Sequence, residues 1–353
     1  MPLVGAKQLA ELSTSIFEAV GASTENARWV AEHLVQSNLS GHDSHGVIRV
    51  GQYVQAVDEG TVNPIALPTC ERENLTCAGF DGHHCFGQVA VNTALEWAMT
   101  RSTHHGSATV TVNNCYHSGR LGAYTSRAAQ RGLVSIMMVN AGGGGQWVTP
   151  FGGRAGRIST NPISIAAPSP SAYPLMLDIA TSVVPEGKVR SHFREGKAVP
   201  KEWIVDGDGN SSDDPQSLYN SQPGALLPMG GEIGYKGFGL AVMIDVLAGA
   251  LSGAGCCSSS EVSPSDGIFL IVLDPQRFTG RQDFARQVDG LIEHIKSCPT
   301  APGFEDVYLP GELEHRTEQL RQKEGIPLSN ETWTEIKQLA DRFKVAQPAL
   351  TGT

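Results

Sequence analysis

Residues 122–141, "GAYTSRAAQRGLVSIMMVNA", predict the class of fold within one short stretch. The first half is typical of a helix that ends at Gly132, and the second half is an apolar run typical of a buried strand. Runs of the same strand type lie on either side, with "SATVTVNN" before it and "NPISIAAPS", "PLMLDIA" and "GIFLIVLDP" after it. Helical periodicity covers both ends of the chain. We therefore expect an α/β protein with a mixed sheet and helical N- and C-terminal parts.

The N-terminal segment predicts three helices. Apolar residues in "KQLAELSTSIFEAV" share one helical face, and Ser23 or Thr24 is the expected N-cap of the second helix. A third helix is expected to begin near Ser44 and to end by Gly60. Turn-forming residues dominate 206–231, which we predict to be a long loop.

Composition excludes several classes of protein. The chain has 353 residues, 40% of them hydrophobic and 18% charged, which describes a globular protein. Its formal net charge of -10 argues against nucleic acid as a partner. Seven irregularly spaced cysteines fit a reducing compartment, and the N-terminus has no apolar signal segment, so we expect a cytosolic protein. The longest apolar run is interrupted by Asp245 and falls short of a membrane span.

The alternation of elements suggests a division of the chain into three parts. We expect an N-terminal helical part over residues 1–115, a middle part over residues 116–270 and a helical C-terminal part over residues 271–353.

Familiar nucleotide and metal signatures are missing from the sequence. No G-x-G-x-x-G opens a helix and no G-x-x-x-x-G-K-[ST] occurs. The glycine-rich stretch "NAGGGGQWVTPFGG" is either a flexible loop or a loop close to a ligand. The clusters "DGHHCFG" and "STHHG" lack the spacing of a zinc site, so we predict no metal. Any dinucleotide site must therefore lack the Rossmann fingerprint.

Residues 39–54, "LSGHDSHGVIRVGQYV", concentrate polar side chains. On a helix that starts near Ser44, His45 and Arg49 would share one face, and Asp43 could orient a histidine. An arginine binds a carboxylate through two hydrogen bonds, and an adjacent imidazole can exchange a proton with an oxygen on the neighbouring carbon. This pair suits a 2-oxo or 2-hydroxy acid. A helix start with a capping His45 and a solvated Arg49 explains the spacing equally well.

The same segment resembles the N-terminal signature of the malate/L-lactate dehydrogenase family that lacks a Rossmann fold. The likeness continues through "NNCYHSGRLGAYTSRAAQRGLVSIMMVNAGG", "LMLDIATSVVPEGKVR", "ALLPMGGEIGYKGFGLAVMIDVLAGALSGAG" and "VYLPGELEHRTEQLRQKEGIPL". It covers nearly the whole chain. The resemblance implies a homodimer that reduces small 2-oxo acids with NAD(H) or NADP(H), on a non-Rossmann nicotinamide-binding fold. It also implies that residues 116–270 bind the nicotinamide cofactor and that residues 1–115 hold the substrate together with the C-terminal part.

The resemblance also implies roles on the substrate side. His45 matches a histidine proposed as proton donor, and Arg49 matches the arginine that binds the substrate carboxylate, with Ser44 beside them. His117 in "NNCYHSG" matches a second histidine that has the acid–base role in other members, and it ranks just behind His45. Arg120 is a further candidate for contact with the substrate.

A cofactor-binding set follows from the resemblance as well. "LDIATS" matches a segment that contacts the cofactor, and the lysine of "GYKGFG" can approach a nucleotide phosphate. The asparagine that ends the "GLVSIMMVN" strand and the "LPGE" segment complete the set. Its members are Asn140, Asp178, Ile179, Ala180, Thr181, Ser182, Tyr235, Lys236, Pro310, Gly311 and Glu312.

Cofactor choice depends on a basic run that follows "LDIATS". Arg190, Arg194 and Lys197 could bind a 2′-phosphate, or they could form a solvated surface; we favour NAD(H) slightly over NADP(H). Two departures from the family pattern concern the substrate. Ser118 stands where many members have a bulky residue, and Ala141 stands where many have serine.

The sequence thus predicts a nicotinamide-dependent 2-hydroxy acid dehydrogenase with a small-molecule substrate. A ketimine reductase that acts on a cyclic imino acid is the nearest alternative, because the same arginine would serve both substrates. A third possibility is a binding or regulatory protein without turnover. The intact His45, Arg49, His117, Asp178 and Lys236 argue against that possibility.

Overall fold

A computed structural model describes residues 1–141, 144–258 and 265–347 of the chain. Its α-helices in these ranges are α1 (Ala6–Ala19), α2 (Thr24–Leu39), α3 (Val50–Asp58), α4 (Gly87–His105), α5 (Leu121–Gln130), α6 (Glu186–Glu195), α7 (Tyr235–Ile244), α8 (Arg281–Lys296), α9 (Glu312–Glu324) and α10 (Asn330–Phe343). None of them is both long enough and apolar enough to cross a membrane.

The strands in the described ranges form one large sheet and two small ones. They are β1 (Leu3–Val4), β2 (Thr69–Glu73), β3 (Cys77–Cys85), β4 (Ser107–Cys115), β5 (Val134–Asn140), β6 (Ile163–Ala167), β7 (Leu175–Ile179), β8 (Ile204–Val205), β9 (Ser211–Ser212), β10 (Ala225–Leu226), β11 (Asp266–Leu273) and β12 (Ile326–Pro327). The seven-stranded sheet has the order β2-β3-β4-β11-β5-β6-β7. β3 and β4 are parallel and the other neighbours are antiparallel, so the sheet is mixed, as the sequence predicted.

The centre of the sheet brings distant parts of the chain to one edge. β11 is inserted between β4 and β5, antiparallel to both. Asp266 is opposite Cys115 and Gly267 is opposite Asn140, so the carboxyl ends of β4 and β5 meet the amino end of β11. The loop that carries His117 begins at this edge.

Two main cores stabilise the chain. The larger one packs the N-terminal helices and the last helix against the central strands, with Phe17, Leu34, Leu95, Val110, Leu270 and Ile336 among its buried members. The smaller one includes Val148, Val189, Ile204, Leu218 and Leu226. Each large apolar side chain that is fully buried contributes about 1.5–3 kcal/mol. The division at residues 115 and 270 stays a prediction.

The first two helices follow the prediction. The third, α3, ends before Gly60 as predicted, but it begins at Val50 rather than near Ser44. Ser23 caps α2 by accepting a hydrogen bond from Asn26 N at 3.2 Å. Beyond α2, Asp43–His45 and Val47–Arg49 form two separate 3-10 turns, with Gly46 in an extended conformation between them.

The side chain of Asn38 explains why the expected third helix is broken. Its Oδ1 accepts a hydrogen bond from Val47 N at 2.8 Å, and a Cβ at Gly46 would collide with this amide. The prediction of a helix from Ser44 was therefore wrong, because a long-range packing contact fixes the backbone that local periodicity left open.

Other differences concern strands and the longest apolar helix. The sequence did not predict β2 and β3, because polar residues and glycine interrupt their apolar pattern. The predicted loop over 206–231 contains β9, β10 and the 3-10 helix Pro215–Leu218. After α7, the chain continues as a π-helix over Asp245–Ala250. The glycine-rich loop prediction falls partly on residues 142–143, which lie outside the described residues.

Candidate active site

Hydrogen bonds, rather than helical spacing, bring His45 and Arg49 together. Arg49 folds back over the 3-10 turn, so that its Nε donates to the Ser44 carbonyl at 2.7 Å. Its Nη1 donates to Gln52 Oε1 at 2.6 Å. Ser44 Oγ lies 3.0 Å from His45 Nδ1. The guanidinium is therefore fixed beside the imidazole, as a carboxylate-binding group needs to be.

His117 is held in the loop between β4 and α5. Its Nδ1 lies 2.7 Å from the hydroxyl of Tyr53, which is fully buried on α3. Gln88 Nε2 donates to the same hydroxyl at 2.9 Å, so the tyrosine proton is free to point at His117. When the Tyr53 hydroxyl donates to Nδ1, the proton of neutral His117 lies on Nε2. The rings of His117 and His45 stack with centroids 5.7 Å apart.

Five basic side chains form one group that we name the imidazole cluster: His33, His45, His117, Arg49 and Arg120. Burial lowers the pKa of His33 to about 3, with a further contribution from Arg120. Burial lowers the pKa of His45 to about 4, and Arg49 lowers it further. The pKa of His117 is also held well below its ordinary value by burial and by His45 and Arg49. All three imidazoles are therefore neutral at pH 7.

Arg120 connects this cluster to Asp178. Arg120 Nη1 donates to Ser40 Oγ at 3.1 Å, and its Nε lies 3.7 Å from Asp178 Oδ2 without a hydrogen bond. Gly122 N donates to the same carboxylate oxygen at 2.7 Å. Burial lowers the pKa of Arg120 and raises the pKa of Asp178, and each side chain opposes the shift of the other. Arg120 also faces a cavity of about 340 Å³ that Glu314 and Glu318 line.

His33 fixes the backbone at Arg120. Its Nε2 accepts a hydrogen bond from Arg120 N at 3.0 Å, and its ring stacks on Tyr124 with centroids 4.8 Å apart. Gly119 has a positive φ of 81°, and a Cβ there would collide with the His33 ring. The loop is therefore packed tightly between α2 and α5.

Ser118 does not border an open site. It is 1% exposed, and its N and Oγ each donate to Asp266 Oδ2 at 2.8 Å. Asp43 likewise does not orient a histidine by a hydrogen bond. Its two carboxylate oxygens accept from Arg321 at 2.6 and 3.0 Å, which ties the 3-10 turn to α9.

The "LDIATS" residues lie at the end of β7 and just beyond it. Two of its hydroxyls bond within the chain: Thr181 Oγ1 donates to Thr160 O at 2.8 Å and Ser182 Oγ to Val184 O at 2.8 Å. Ile179 and Ala180 are half-buried. The backbone of this segment also pairs with residues before α7, because Met229 N donates to Thr181 O at 2.8 Å.

Tyr235 and Lys236 begin α7 and are exposed. The Tyr235 ring packs edge-on against Phe151, with centroids 5.8 Å apart. Within the described ranges Lys236 has no ion-pair partner. A helix N-terminus with a free ammonium group suits the phosphates of a dinucleotide. These residues therefore fit the role that the resemblance implies.

Asn140 is buried at the end of β5. Its Nδ2 donates to Asp245 Oδ1 at 3.2 Å and to Gly255 O at 2.8 Å, while its Oδ1 has no hydrogen-bond partner in the described part of the chain. Asp245 also accepts from Asn161 Nδ2 at 3.2 Å and from Cys257 N at 2.9 Å. The Asn140 side chain therefore belongs to a buried polar network, and within the described residues its Oδ1 remains available to accept a further hydrogen bond.

Pro310–Glu312 contacts β7 and a group of ions that we name the carboxylate cluster: Glu312, Asp306, Lys296 and Arg316. Met176 N donates to Pro310 O at 3.1 Å, and Gly311 has a positive φ of 90°. Glu312 is buried and pairs with Lys296 at 2.7 Å and Arg316 at 2.6 Å.

The ion pairs of Glu312 lower the pKa of its carboxyl group. Burial alone would raise the pKa of its carboxyl, but hydrogen bonds from Lys296, Leu309 N and Arg316 outweigh burial and lower it to about 2. The segment is therefore a rigid connection between β7 and α9.

The basic run after "LDIATS" lies on α6 and just beyond it. Arg190 pairs with Glu186 at 2.9 Å and Lys197 pairs with Glu195 at 2.7 Å, while Arg194 is exposed. Elsewhere in the described ranges, no three potential metal ligands lie together.

Sequence reasoning missed four residues that complete the site: Gln52, Tyr53, His33 and Asp266. Gln52 and Tyr53 could have been predicted from the sequence, because they follow Arg49 by three and four residues and therefore lie on the same side of the chain. His33 and Asp266 carry no local signal, since they reach the site across the fold.

Comparison with known proteins shows that the chain is similar in sequence to dehydrogenases. The sequence profile of the family described as malate/L-lactate dehydrogenase matches residues 4–337. An L-lactate dehydrogenase of Cupriavidus necator is 34% identical over 350 residues, which are 98% of this chain and 98% of the relative.

Solved structures show the same fold. The crystal structure of malate dehydrogenase from Entamoeba histolytica has a TM-score of 0.92 at 30% identity, covering 98% of this chain and 99% of that chain. The crystal structure of a delta1-piperideine-2-carboxylate reductase from Pseudomonas syringae has a TM-score of 0.85 at 29% identity, covering 96% and 100%.

Proposed function

The chain belongs to the malate/L-lactate dehydrogenase family, whose members are oxidoreductases of 2-hydroxy acids, and we propose that it interconverts a 2-hydroxy acid and a 2-oxo acid of malate or lactate type. The observation that carries the proposal is the convergence of His45, His117 and Arg49, with two stacked imidazoles beside a fixed guanidinium. That is the set of groups which a carboxylate next to a reacting carbonyl requires.

Arg49 binds the substrate carboxylate in this proposal. Its Nε and Nη1 have partners in Ser44 and Gln52, which fix the plane of the guanidinium. Nη2 has no hydrogen bond among the described residues, and it faces the carboxylate together with the second proton of Nη1. Ser44 and Arg120 line the same side of the substrate.

His45 acts as the general acid–base group. Neutral His45 is ready to accept the proton of a substrate hydroxyl when the 2-hydroxy acid is oxidised. In the direction of reduction it must be protonated, and the substrate carboxylate that pairs with Arg49 offsets the positive charge which lowers the pKa of His45. His117, with its proton on Nε2, donates a hydrogen bond that orients the reacting oxygen.

A nicotinamide cofactor, when bound, would supply or accept the hydride. Lys236 and the N-terminus of α7 would hold its phosphates, with Tyr235, Ile179 and Ala180 beside them. Asn140, Asp178, Thr181 and Ser182 would shape the wall of this site, and Pro310, Gly311 and Glu312 would close it. We favour NAD(H), because Arg190 and Lys197 already pair with carboxylates and so do not form a free 2′-phosphate site. The ratio of kcat/KM for NADH and NADPH tests this, and a strong NADPH preference would overturn it.

We also propose a cytoplasmic homodimer. All seven cysteines are free thiols, as in a reducing compartment. α7 and its π-helical continuation expose Tyr235, Val242, Met243, Val246 and Leu251, an apolar face that a second copy would cover. Sedimentation of the purified chain checks the dimer, and a monomer at micromolar concentration would contradict it.

A panel of 2-oxo acids and cyclic imines with both reduced cofactors tests the reaction. Loss of nicotinamide absorbance with pyruvate, oxaloacetate or a related 2-oxo acid is expected. The likeness to the piperideine-carboxylate reductase favours a second candidate, reduction of a cyclic imino acid, because the same arginine would bind its carboxylate. Turnover of the imine alone would select this candidate, and no turnover of either class would contradict both.

A further inference from the structure

The buried carboxylate of Asp266 accepts two hydrogen bonds from Ser118, the residue next to His117. Asp266 is the first residue of β11 and is 7% exposed. Its Oδ2 accepts hydrogen bonds from Ser118 N and Ser118 Oγ, both at 2.8 Å. The two partners are separated by 148 positions in the chain, so only the insertion of β11 beside β4 brings them together.

Every polar group of Ser118 is therefore bound. Its carbonyl accepts a hydrogen bond from the Tyr124 hydroxyl at 2.6 Å, while its N and Oγ bind Asp266. His117, one residue before, is anchored separately by the Tyr53 hydroxyl. In the five-residue loop from Tyr116 to Arg120, hydrogen bonds therefore fix the backbone at Ser118, and the Tyr53 hydroxyl fixes the ring of His117.

Asp266 has no neutralising partner. Among the described residues no cation pairs with it, and the titratable groups that face it are the Cys115 thiol on β4, the Tyr53 phenol on α3 and the Tyr124 phenol on α5. Burial raises the pKa of all three, so they stay neutral between pH 5 and 8. Burial also raises the pKa of Asp266 to about 6, although its bonds to Ser118 oppose the shift.

We infer that Asp266 is a positioning residue, which acts through Ser118 to hold His117 where it can contact the Tyr53 hydroxyl and the substrate. A carboxylate with a purely structural role would be expected to pair with a cation, and Asp266 has none among the described residues. The two hydrogen bonds of its side chain go to the single residue that follows a proposed substrate-binding histidine. This inference deepens the proposed function and rests on it.

The charge of Asp266 links the loop to pH. Above pH 6 the carboxylate is ionised and accepts two charge-assisted hydrogen bonds, which are stronger than neutral ones. Below pH 6 it is protonated and the grip on Ser118 weakens. The histidines of the free protein titrate lower, so they do not mask this change.

The test compares Asp266→Asn with Asp274→Asn. Asp274 is the control, since it is buried, follows the opposite end of β11, and accepts a hydrogen bond from Gln276 N at 3.0 Å. Unlike Asp266, it has a cationic partner, Arg281 at 3.6 Å. A strand of this length spans about 26 Å, so the control lies far from the site. With the substrate that the wild type turns over, Asp266→Asn should lower kcat/KM about tenfold, because a neutral acceptor replaces a charged one. KM should change at least as much as kcat, since Asp266 acts through His117.

The pH profile of kcat/KM for oxidation of the hydroxy acid provides the specific readout, since it reports groups of the free enzyme. The wild type and Asp274→Asn should lose activity below pH 6, whereas Asp266→Asn should be flat from pH 5 to 7 at its reduced level. Ser118→Ala, which removes one of the two donors, should lower kcat/KM less than Asp266→Asn and keep the limb near pH 6.

A readout without turnover separates this inference from the proposed function. With ¹⁵N-histidine labelling, Asp266→Asn should shift or broaden the ring signals of His117, and Asp274→Asn should leave them in place. Unchanged ring signals together with an unchanged pH profile would overturn the inference. An inactive wild type would contradict the proposed function alone, and the ring signals would still decide the role of Asp266.

Discussion

The imidazole cluster and the carboxylate cluster are both partly buried groups of ionisable side chains. The pKa values of His45 and Glu312 are both lowered, yet at pH 7 the imidazole is neutral and the carboxylate is charged. In the imidazole cluster, burial and the nearby positive charge of Arg49 lower the pKa of His45 to about 4, which keeps the ring neutral at pH 7. In the carboxylate cluster Glu312 has two cations within 2.7 Å, and its pKa falls to about 2, which keeps it charged.

The difference shows how one chain makes both a reactive site and a rigid joint. Burial without a counter-charge favours the neutral form of a side chain, which can then take up a proton when a charged substrate arrives. Burial with paired charges favours the ionised form and holds two segments together. The first arrangement lies on the loops after α2 and β4, and the second joins α8 and α9 through Tyr308–Gly311.

The largest expected effect comes from removing an imidazole. His45→Ala should lower kcat by about 10²–10⁴-fold, the usual scale of general acid–base catalysis, while His117→Ala should affect KM at least as much as kcat. Steady-state kinetics with the true substrate measure both, after circular dichroism and cofactor titration have shown intact folding and binding. Loss of turnover in His117→Ala with an active His45→Ala would exchange the two roles.

The next effect concerns the cation beside the imidazoles. Arg49→Lys keeps the charge but loses the planar fork and its contacts with Ser44 and Gln52, so kcat/KM should fall about 10–100-fold. The matched control is Arg342→Lys, since Arg342 forms an exposed pair with Asp58 at 2.8 Å. Equal kinetics for the wild type and Arg49→Lys would remove Arg49 from the site.

A substitution at Glu312 tests what the carboxylate cluster contributes to the free energy of unfolding. Glu312→Gln should lower the free energy of unfolding by about 1–3 kcal/mol, because Lys296 and Arg316 lose a buried partner. Urea unfolding at pH 7 measures this, with Asp58→Asn as the exposed control, for which little change is expected. A stability equal to the wild type would show that the pairing contributes nothing. Weaker cofactor binding by Glu312→Gln would support the closing role of Pro310–Glu312.

The imidazole cluster should also make the stability of the protein depend on pH. His33 and His45 have folded pKa values of about 3 and 4, below the ordinary 6.5, so the unfolded chain binds their protons first. Their contribution to stability is complete above pH 6.5 and is lost as pH falls toward 4, at about 1.4 kcal/mol per pH unit for each histidine. Burial raises the pKa of Asp266 to about 6 and also raises the pKa of Asp178, and both shifts oppose this loss.

Glu312 titrates in a lower window, which makes the two clusters separable. Its folded pKa of about 2 lies below the ordinary 4.5, so its contribution is present above pH 4.5 and is lost only as pH falls further. Unfolding free energies measured from pH 7 to 4.5 should therefore decrease in the wild type and in Glu312→Gln alike. A slope that disappears in Glu312→Gln would contradict the assignment to the imidazole cluster.

The sequence by itself determined the class of fold, the family and the candidate residues of the site. Apolar periodicity and the Ser23 cap are local properties, and they predicted α1, α2 and most strands of the large sheet correctly. The motif "DSHGVIR" likewise indicated His45 and Arg49 as candidate site residues. These features could be read because each depends on residues that are close in the chain.

Tertiary structure decided how those residues are arranged. Asn38 breaks the helix expected at Ser44, so a backfolded Arg49 side chain rather than helical spacing brings the guanidinium to the imidazole. Ser118 is bound to Asp266 because β11 lies beside β4. The pKa values depend on burial and on charges from several elements. Such contacts join positions far apart in the chain, and no local pattern of residues encodes them.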